Sequence, residues 1–257
     1  MQLTPQDIPV VRYADVVSTN LIALEYGAQG AAHGTVIAAV QQSGGRGRLG
    51  RSFSSPPGGL YFSLILRPEQ HPDRLSLLTL AVGLICCSIV EKVSGLDVKL
   101  KWPNDLYLAN KKLGGILSET APYSNSDGKV PFLVVGIGLN INTKPELFPQ
   151  SLQNSVISLY SIQKSNYDLD KLMTEIVVEI DKYVCNAELM KDEMLHKWKQ
   201  RDYLYGKQMC WHAAEGKKVC GTGAGLLADG RYGLLTAEGV ILPILGGELR
   251  IVHTDKQ

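Results

Sequence analysis

Ten residues, Gln42-Ser43-Gly44-Gly45-Arg46-Gly47-Arg48-Leu49-Gly50-Arg51, hold three arginines and four glycines in a chain that is otherwise near neutral. Arginine presents a planar fork of donors that matches carboxylate and phosphate oxygens. Glycine lets the backbone approach a ligand closely and adopt positive φ. A mobile loop with both can close over an anionic small molecule. Three further stretches carry ligand-capable groups: Ser18-Thr19-Asn20, the segment 101–115 with Lys101, Asn104, Asp105, Lys111, Lys112 and Gly115, and Gly136-Ile137-Gly138 with Asn140. Together they supply cations for an anion, one carboxylate for a divalent metal, and hydroxyls and amides for a neutral polar group. That inventory suits a reaction joining a carboxylate-bearing substrate to a nucleotide. The chain has no G-x-S-x-G nucleophile elbow, no P-loop, and no G-x-G-x-x-G opening a helix in a βαβ unit.

The elements that must position these groups are readable from periodicity. Ser18-Thr19-Asn20 caps a helix with Leu21, Leu24 and Ala28 at helical spacing, and three polar residues exceed what a cap needs. Gly34 ends that unit, and Thr35–Val40 reads as a buried strand that delivers the Gly/Arg loop. Leu60–Leu66 is a second apolar strand. Pro72-Asp73 opens a helix, apolar almost all round, that runs past Leu75 and Leu78 to Val93 and stops at Gly95. Val98–Trp102 and Leu106–Leu108 are strands joined by Pro103-Asn104-Asp105; a turn at Asn110-Lys111-Lys112 leads into Leu113–Glu119. A polar turn, Ser124–Gly128, precedes the strand Phe132–Asn142. Residues 143–167 are polar and irregular. Asp168 caps a helix with Leu169, Leu172, Ile176, Ile180 and Val184 on one face, and a further helix covers Leu189–Trp198. After Arg201-Asp202 the period changes to short strands broken by Gly206, Gly216, Gly221, Asp229-Gly230, Gly239 and Gly246-Gly247, the pattern of a small β-barrel. The boundary falls near 202–206, giving units 1–203 and 204–257. The fold class is α+β with a mixed sheet.

Composition narrows the partners. At 257 residues and 45% hydrophobic, the chain buries a large core. A net charge of +1 gives no general field for nucleic acid. No apolar run is long enough for a membrane span, and Met1–Pro9 lacks the apolar core of a secretory signal. The histidines show no metal-ligand spacing. The cysteines Cys86, Cys87, Cys185, Cys210 and Cys220 are odd in number, lack C-x-x-C spacing and read as thiols of a reducing compartment, the cytoplasm. Trp102 and Trp198 read as core or domain-packing residues.

The ordered set of Gln42-x-x-Gly45-Arg46-Gly47-Arg48-x-Gly50-Arg51, Ser55-Pro56-x-Gly58-Gly59-Leu60-Tyr61, Lys101-Trp102-Pro103-Asn104-Asp105, Lys112-x-x-Gly115-Ile116-Leu117-x-Glu119 and Gly136-x-Gly138-x-Asn140 resembles biotin protein ligases. With Ser18-Thr19-Asn20 and Gly246-Gly247-Glu248 the resemblance covers nearly the whole chain. It implies a mixed-sheet catalytic domain related to lipoate ligases and a C-terminal SH3-like β-barrel. It implies two steps: biotin and Mg-ATP give biotinyl-5′-AMP, and a lysine of a biotin carboxyl carrier protein then takes the biotin. Biotin and ATP are substrates, and no tightly bound cofactor is expected. By position, Lys112 is the central catalytic cation, with Arg48 beside it. Arg48 and Arg51 hold the phosphate, while Arg46 and Gly47 pack over biotin. Ser18, Thr19, Asn20 and Gln42 surround its ureido ring. Phe53, Leu117, Gly115, Gly136 and Gly138 line the valeryl chain. Asp105 is the magnesium ligand, and Asn140 touches ribose or adenine.

Two departures stand out. Ser18-Thr19-Asn20 lies almost at the start, where bifunctional relatives carry a winged-helix DNA-binding domain, so a ligase without repressor function is expected. The stretch Ser155–Tyr160 lacks the adenine-stacking tryptophan of some relatives, so adenine rests on aliphatic groups or Tyr160. The competing readings are a lipoate or octanoate ligase of the related fold, and a non-catalytic biotin-responsive regulator. The family includes monomers and homodimers.

Overall fold

A computed structural model describes residues 2–67, 77–120, 131–212 and 218–252. A seven-stranded sheet forms from β1 (Val10–Val16), β2 (Val36–Gln42), β3 (Leu60–Leu66), β4 (Lys99–Lys101), β5 (Asp105–Leu108), β6 (Lys111–Thr120) and β7 (Leu133–Leu139). Its order is β1-β2-β3-β7-β6-β5-β4. The β1–β2 pair is parallel and the other pairs are antiparallel, which makes the sheet mixed. Helix α1 (Thr19–Ala28) packs on one face, against β2, β3 and β7. The other face carries α2 (Leu78–Ser94) and α4 (Leu169–Cys185), with α5 (Ala187–Lys199) packed on those two. All seven residues of β3 are buried because both faces are covered, which explains its unbroken apolar run. Strand β1 carried no clear signal: it is an edge strand, and Arg12 and Asp15 interrupt its alternation.

Helix α2 is buried nearly all round and ends at Gly95 with φ 69°. The expected start of this helix at Pro72-Asp73 and Leu75 lies outside the described residues, as do the Ser124–Gly128 turn and Gly216. Asp168 caps α4 by accepting from the Lys171 N–H at 3.0 Å. The irregular stretch 143–167 contains a 3₁₀ turn at Pro145–Leu147 and a short α-helix, α3 (Leu159–Gln163), with a capping box at Ser158 and Ser161.

The second sheet, β11-β10-β9-β8-β12, is antiparallel throughout. Its strands are β8 (Gln208–His212), β9 (Lys218–Leu226), β10 (Tyr232–Leu235), β11 (Ile241–Ile244) and β12 (Glu248–Ile251). This is the strand complement of an SH3-like domain. Among the described residues no ladder joins β11 to β12, so the sheet is open rather than a closed barrel. Cys210 and Cys220 stand directly opposite on β8 and β9 and form a disulfide, correcting the expectation of thiols throughout. The pairing depends on ladder register, which their spacing does not reveal. Cys86 and Cys87 are buried thiols and Cys185 is exposed.

The two sheets meet through buried aromatics. Trp102 stands 5.9 Å from Tyr232 between ring centroids, and its indole N–H donates to the Gly230 carbonyl at 3.0 Å. Trp198 is buried in the helical layer. The Tyr232 hydroxyl donates to Asp202 Oδ2 at 3.0 Å, and Asp202 Oδ1 accepts from the Leu204 N–H. Burial pushes the Asp202 carboxyl up to about 6, against the lowering effect of those hydrogen bonds. A raised acid pKa means that ionising the folded state costs stability as pH climbs from about 4 through 6. Asp202→Asn is therefore expected to stabilise the protein by about 2 kcal/mol above pH 7. The gain should vanish near pH 4 in thermal or urea unfolding.

Candidate functional site

On the α1 side of the sheet, one row of residues crosses five strands. Lys101 pairs with Asp105, Asp105 with Gly115, Gly115 with Gly138, and Gly138 with Tyr61. The next row on that face is Leu117, Gly136 and Ser63. The glycines form a depressed floor, and the side chains that fill it come from above. A Cβ on Gly136 would overlap the Asn20 amide, and one on Gly138 would stand 2.6 Å from Phe53 Cε1. These glycines accommodate the protein's own side chains.

Lys112 reaches the same face through a one-residue irregularity. Asp105 faces Gly115 and Leu106 faces Gly114, but Tyr107 faces Lys112. The extra residue in β6 is a β-bulge, and it reverses the alternation between Gly115 and Lys112. Residues 155–157 hold the bulged strand: the Lys112 N–H donates to the Ser155 carbonyl and the Ile157 N–H to the Lys112 carbonyl, both at 2.9 Å. Lys112 Nζ stands 2.7 Å from Asp105 Oδ1 as an ion pair. The approach lacks hydrogen-bond alignment, and that buried oxygen carries no hydrogen bond.

The Gly/Arg segment forms a hairpin. Backbone bonds run from the Gln42 N–H to Ser55 O, from the Phe53 N–H to Gly45 O, and from the Gly47 N–H to Arg51 O. At its tip Leu49 and Gly50 have φ of 57° and 72°. Gly45 lies so close to the Phe53 carbonyl that no Cβ fits. The hairpin lays its arginines along the cleft. Arg46 pairs with Glu119 at 3.1 Å and Arg51 with Glu248 of β12 at 2.6 Å. Hydrogen bonds from Arg250 and Arg51 outweigh burial and bring the Glu248 carboxyl down to about 2. Among the described residues Arg48 has no carboxylate within ion-pair distance. Burial depresses its pKa, partly offset by Asp105. Lys101 is likewise depressed by burial, and it lies 3.4 Å from the Tyr107 hydroxyl.

At the other end of the cleft, Ser18, Thr19 and Asn20 open α1 and are all buried. Ser18 is the N-cap residue, yet its side chain makes no capping bond. The helix buries Ala23 and Gly27 along with Thr19 and Asn20, and exposes Leu21, so the expected apolar face at Leu21, Leu24 and Ala28 is not the inward one. Polar residues face the sheet here because the floor beneath them carries Ser63. Gln42 Oε1 accepts from the Thr19 N–H at 2.9 Å, and Gln42 Nε2 donates to Ser55 Oγ at 2.7 Å.

Ser18, Thr19, Asn20, Gln42, Arg46, Gly47, Arg48, Arg51, Asp105, Lys112, Gly115, Gly136 and Gly138 thus line one cleft, with Phe53 and Leu117. Asn140 does not line it: it is buried just beyond β7, with an unpartnered Oδ1. The cleft wall also contains Gly247, Glu248 and Leu249 of the second sheet, and Trp102, which sequence reasoning assigned to packing alone. Ser63, beneath the floor, was missed because a serine inside an apolar strand carries no motif.

A sequence profile of the Biotin/lipoate A/B protein ligase family matches residues 14–140. The chain is 30% identical over 230 residues to the Bifunctional ligase/repressor BirA of Escherichia coli, covering 87% of this chain and 68% of that one. It is 32% identical over 186 residues to the Bacillus subtilis protein of the same name, covering 72% and 54%, so it spans about half of that relative's length. A biotin protein ligase from Aquifex aeolicus, solved in complex with biotin and ATP, superposes with a TM-score of 0.81 at 30% identity, covering 95% of this chain and 99% of that one. The chain belongs to the Biotin/lipoate A/B protein ligase family. Within that family, the structure it superposes on is a biotin protein ligase.

The glycine floor gives a direct test. Gly136→Ala is expected to displace the Asn20 amide and to cost about 1–3 kcal/mol in a urea titration.

Proposed function

We propose that this protein activates biotin with ATP and transfers it to a lysine of a biotin carboxyl carrier protein. In the first step a biotin carboxylate oxygen attacks the α-phosphorus of ATP, and the bond to pyrophosphate breaks. In the second, the lysine amine attacks the acyl carbon and AMP leaves. Units 1–203 and 204–257 act together, because the cleft draws on both.

The observation that carries this reading is the charge in the cleft. Five cations, Arg46, Arg48, Arg51, Lys101 and Lys112, line it against two carboxylates, Asp105 and Glu248, in a chain whose net charge is only +1. Arg48 is half-buried without a paired carboxylate, an arrangement that favours an anionic ligand. Two anions must meet for the first step. Lys112 and Arg48 offset their repulsion and the charge that grows on the phosphoryl oxygens, and Arg51 supports the phosphate. Arg46 and Gly47 cover biotin, whose ring meets Ser18, Thr19, Asn20 and Gln42. Hydroxyls and amides suit its neutral urea. A dithiolane ring, as in lipoate, offers no N–H donors to such a lining, which disfavours the lipoate reading.

The nucleotide's magnesium fits Asp105. Its Oδ1 carries no hydrogen bond but is ion-paired with Lys112, so the metal would share this carboxylate with the lysine, and magnesium commonly takes one or two carboxylates with phosphate oxygens and water. When bound, the ion would neutralise phosphate charge. Because ATP is a substrate, we place the reaction in the cytoplasm.

Lys112→Ala is expected to slow biotin-dependent pyrophosphate release by about a hundredfold or more while folding is retained. A wild-type rate would remove Lys112 from the chemistry. Arg48→Gly is expected to let the acyl-adenylate escape, so that labelled biotin appears on bystander lysines in a mixed-protein assay. Transfer of lipoate but not biotin by the wild type would overturn the reading.

A further inference from the structure

The disulfide between Cys210 and Cys220 lies one ladder row from an anion of the cleft wall. Cys210 on β8 stands between Cys220 on β9 and Arg250 on β12, and in the next row His212 stands between Lys218 and Glu248. Residues paired across a row share a face of the sheet, as do residues two apart on a strand, so the disulfide, Arg250 and Glu248 lie on one face. Arg250 Nη2 donates to Glu248 Oε2 at 2.8 Å, and the same oxygen holds Arg51 Nη2 at 2.6 Å. Strand β12 is an edge strand, and among the described residues its one ladder is with β8. The position of Glu248 therefore depends on β8, and the disulfide ties β8 to β9. Arg51 depends on Glu248 in turn, because a side chain 56% exposed is oriented by its ion pair more than by packing.

The pair is also reachable. Cys210 is buried but Cys220 is exposed, so one of the two sulfurs faces water. Cys86 and Cys87 are buried thiols whose pKa values burial pushes up, and Cys185 is a free thiol at the end of α4. Disulfides are rare where small thiols keep a compartment reduced, and those found there mostly respond to redox state. We propose that Cys210 and Cys220 form a thiol–disulfide exchange site through which the small-thiol pool adjusts the nucleotide end of the cleft. The proposal rests on the ATP-dependent, cytoplasmic reading above. The thiolate of a low-molecular-weight thiol attacks the exposed Cys220 sulfur, the protein S–S bond breaks, and Cys210 leaves as a thiolate that takes up a proton. A second small thiolate then attacks the small thiol's own sulfur in the mixed disulfide. Cys220 leaves as a thiolate and is protonated, and the small molecule departs as its disulfide. Two electrons and two protons pass from two small thiols to the protein, and excess small-molecule disulfide runs the exchange backwards.

Opening the bond removes the covalent tie between β8 and β9, and Glu248 on the edge strand then holds Arg51 less closely. ATP must order Arg51 as it binds. The biotin end has no such dependence, since Ser18, Thr19 and Asn20 stand at the start of α1 and Gln42 on β2. Full-length protein is equilibrated in buffers of stepped ratio of reduced to oxidised glutathione, and its thiols are counted by alkylation and mass spectrometry. The KM for ATP and for biotin is measured at each step by pyrophosphate release. Cys210 and Cys220 are expected to become alkylatable together, and the ATP KM to rise about threefold in step with them, the ordering cost of one long side chain. The biotin KM and kcat are expected to change less than about 1.5-fold. With Cys210→Ser and Cys220→Ser combined, the ATP KM is expected to stay at the reduced value at every ratio. A pair that keeps one state throughout overturns the proposal. So does an ATP KM that ignores the thiol count, a biotin KM that rises in parallel, or a response that survives in the doubly substituted protein. A protein that releases no pyrophosphate at any ratio overturns instead the reading on which the proposal rests.

Discussion

Five cations held in one cleft repel one another, and the architecture around the cleft limits that repulsion. Each counter-charge comes from a different element. Asp105 on β5 faces Lys112, Glu248 on β12 holds Arg51, and Glu119 near the end of β6 holds Arg46. Removing Asp105 would leave the partly buried Lys112 unpaired, whereas Arg46 and Arg51 are exposed and their pairs act mainly to orient them. The cations are therefore spaced by their partners, and Arg48 remains between them to meet an incoming anion. The glycine floor serves the same end. It lowers the sheet surface so that Asn20 and Phe53 settle into it, and the cleft above stays open beside the charges.

The second sheet takes part in this balance. Glu248 and Leu249 are carried into the cleft wall by β12, which is anchored by its ladder to β8. The seat of that sheet on the first one is aromatic, Trp102 against Tyr232, with Tyr107 stacked at 4.6 Å on Tyr203 of the connecting segment. Trp102 thus has two duties, packing the interface and closing one side of the cleft. A change in how the small sheet sits would move an anion relative to the hairpin arginines.

Much of this was legible in the sequence. The long apolar runs gave β3 and α2 because both are buried on every side. The Gly/Arg and Lys101–Asp105 segments stood out because their residue types are costly anywhere but at a site. What stayed hidden depends on pairing. Strand β1 is an edge with charges in it. The inward face of α1 is polar, so an apolar stripe misplaced it. Ser63 and the Cys210–Cys220 partnership follow from register between distant segments, which local pattern does not encode. The hairpin form of the Gly/Arg segment stayed hidden because glycine spacing reveals backbone freedom but not the hydrogen bonds that pair its two arms.

The bulge in β6 turns chain length into orientation. Because strand alternation has a period of two, Lys112 and Gly115, three residues apart, would face opposite sides of a regular ladder, and the bulge keeps both on the cleft side. The spacing of those two residues is therefore a mechanical parameter. Insertions in the surface turn before Lys111 would only lengthen a connection. One residue lost from Leu113-Gly114 would remove the bulge and leave the ammonium on the cleft side, whereas one residue added there, with the bulge kept, would point it at the helical layer and leave Asp105 facing the cleft alone.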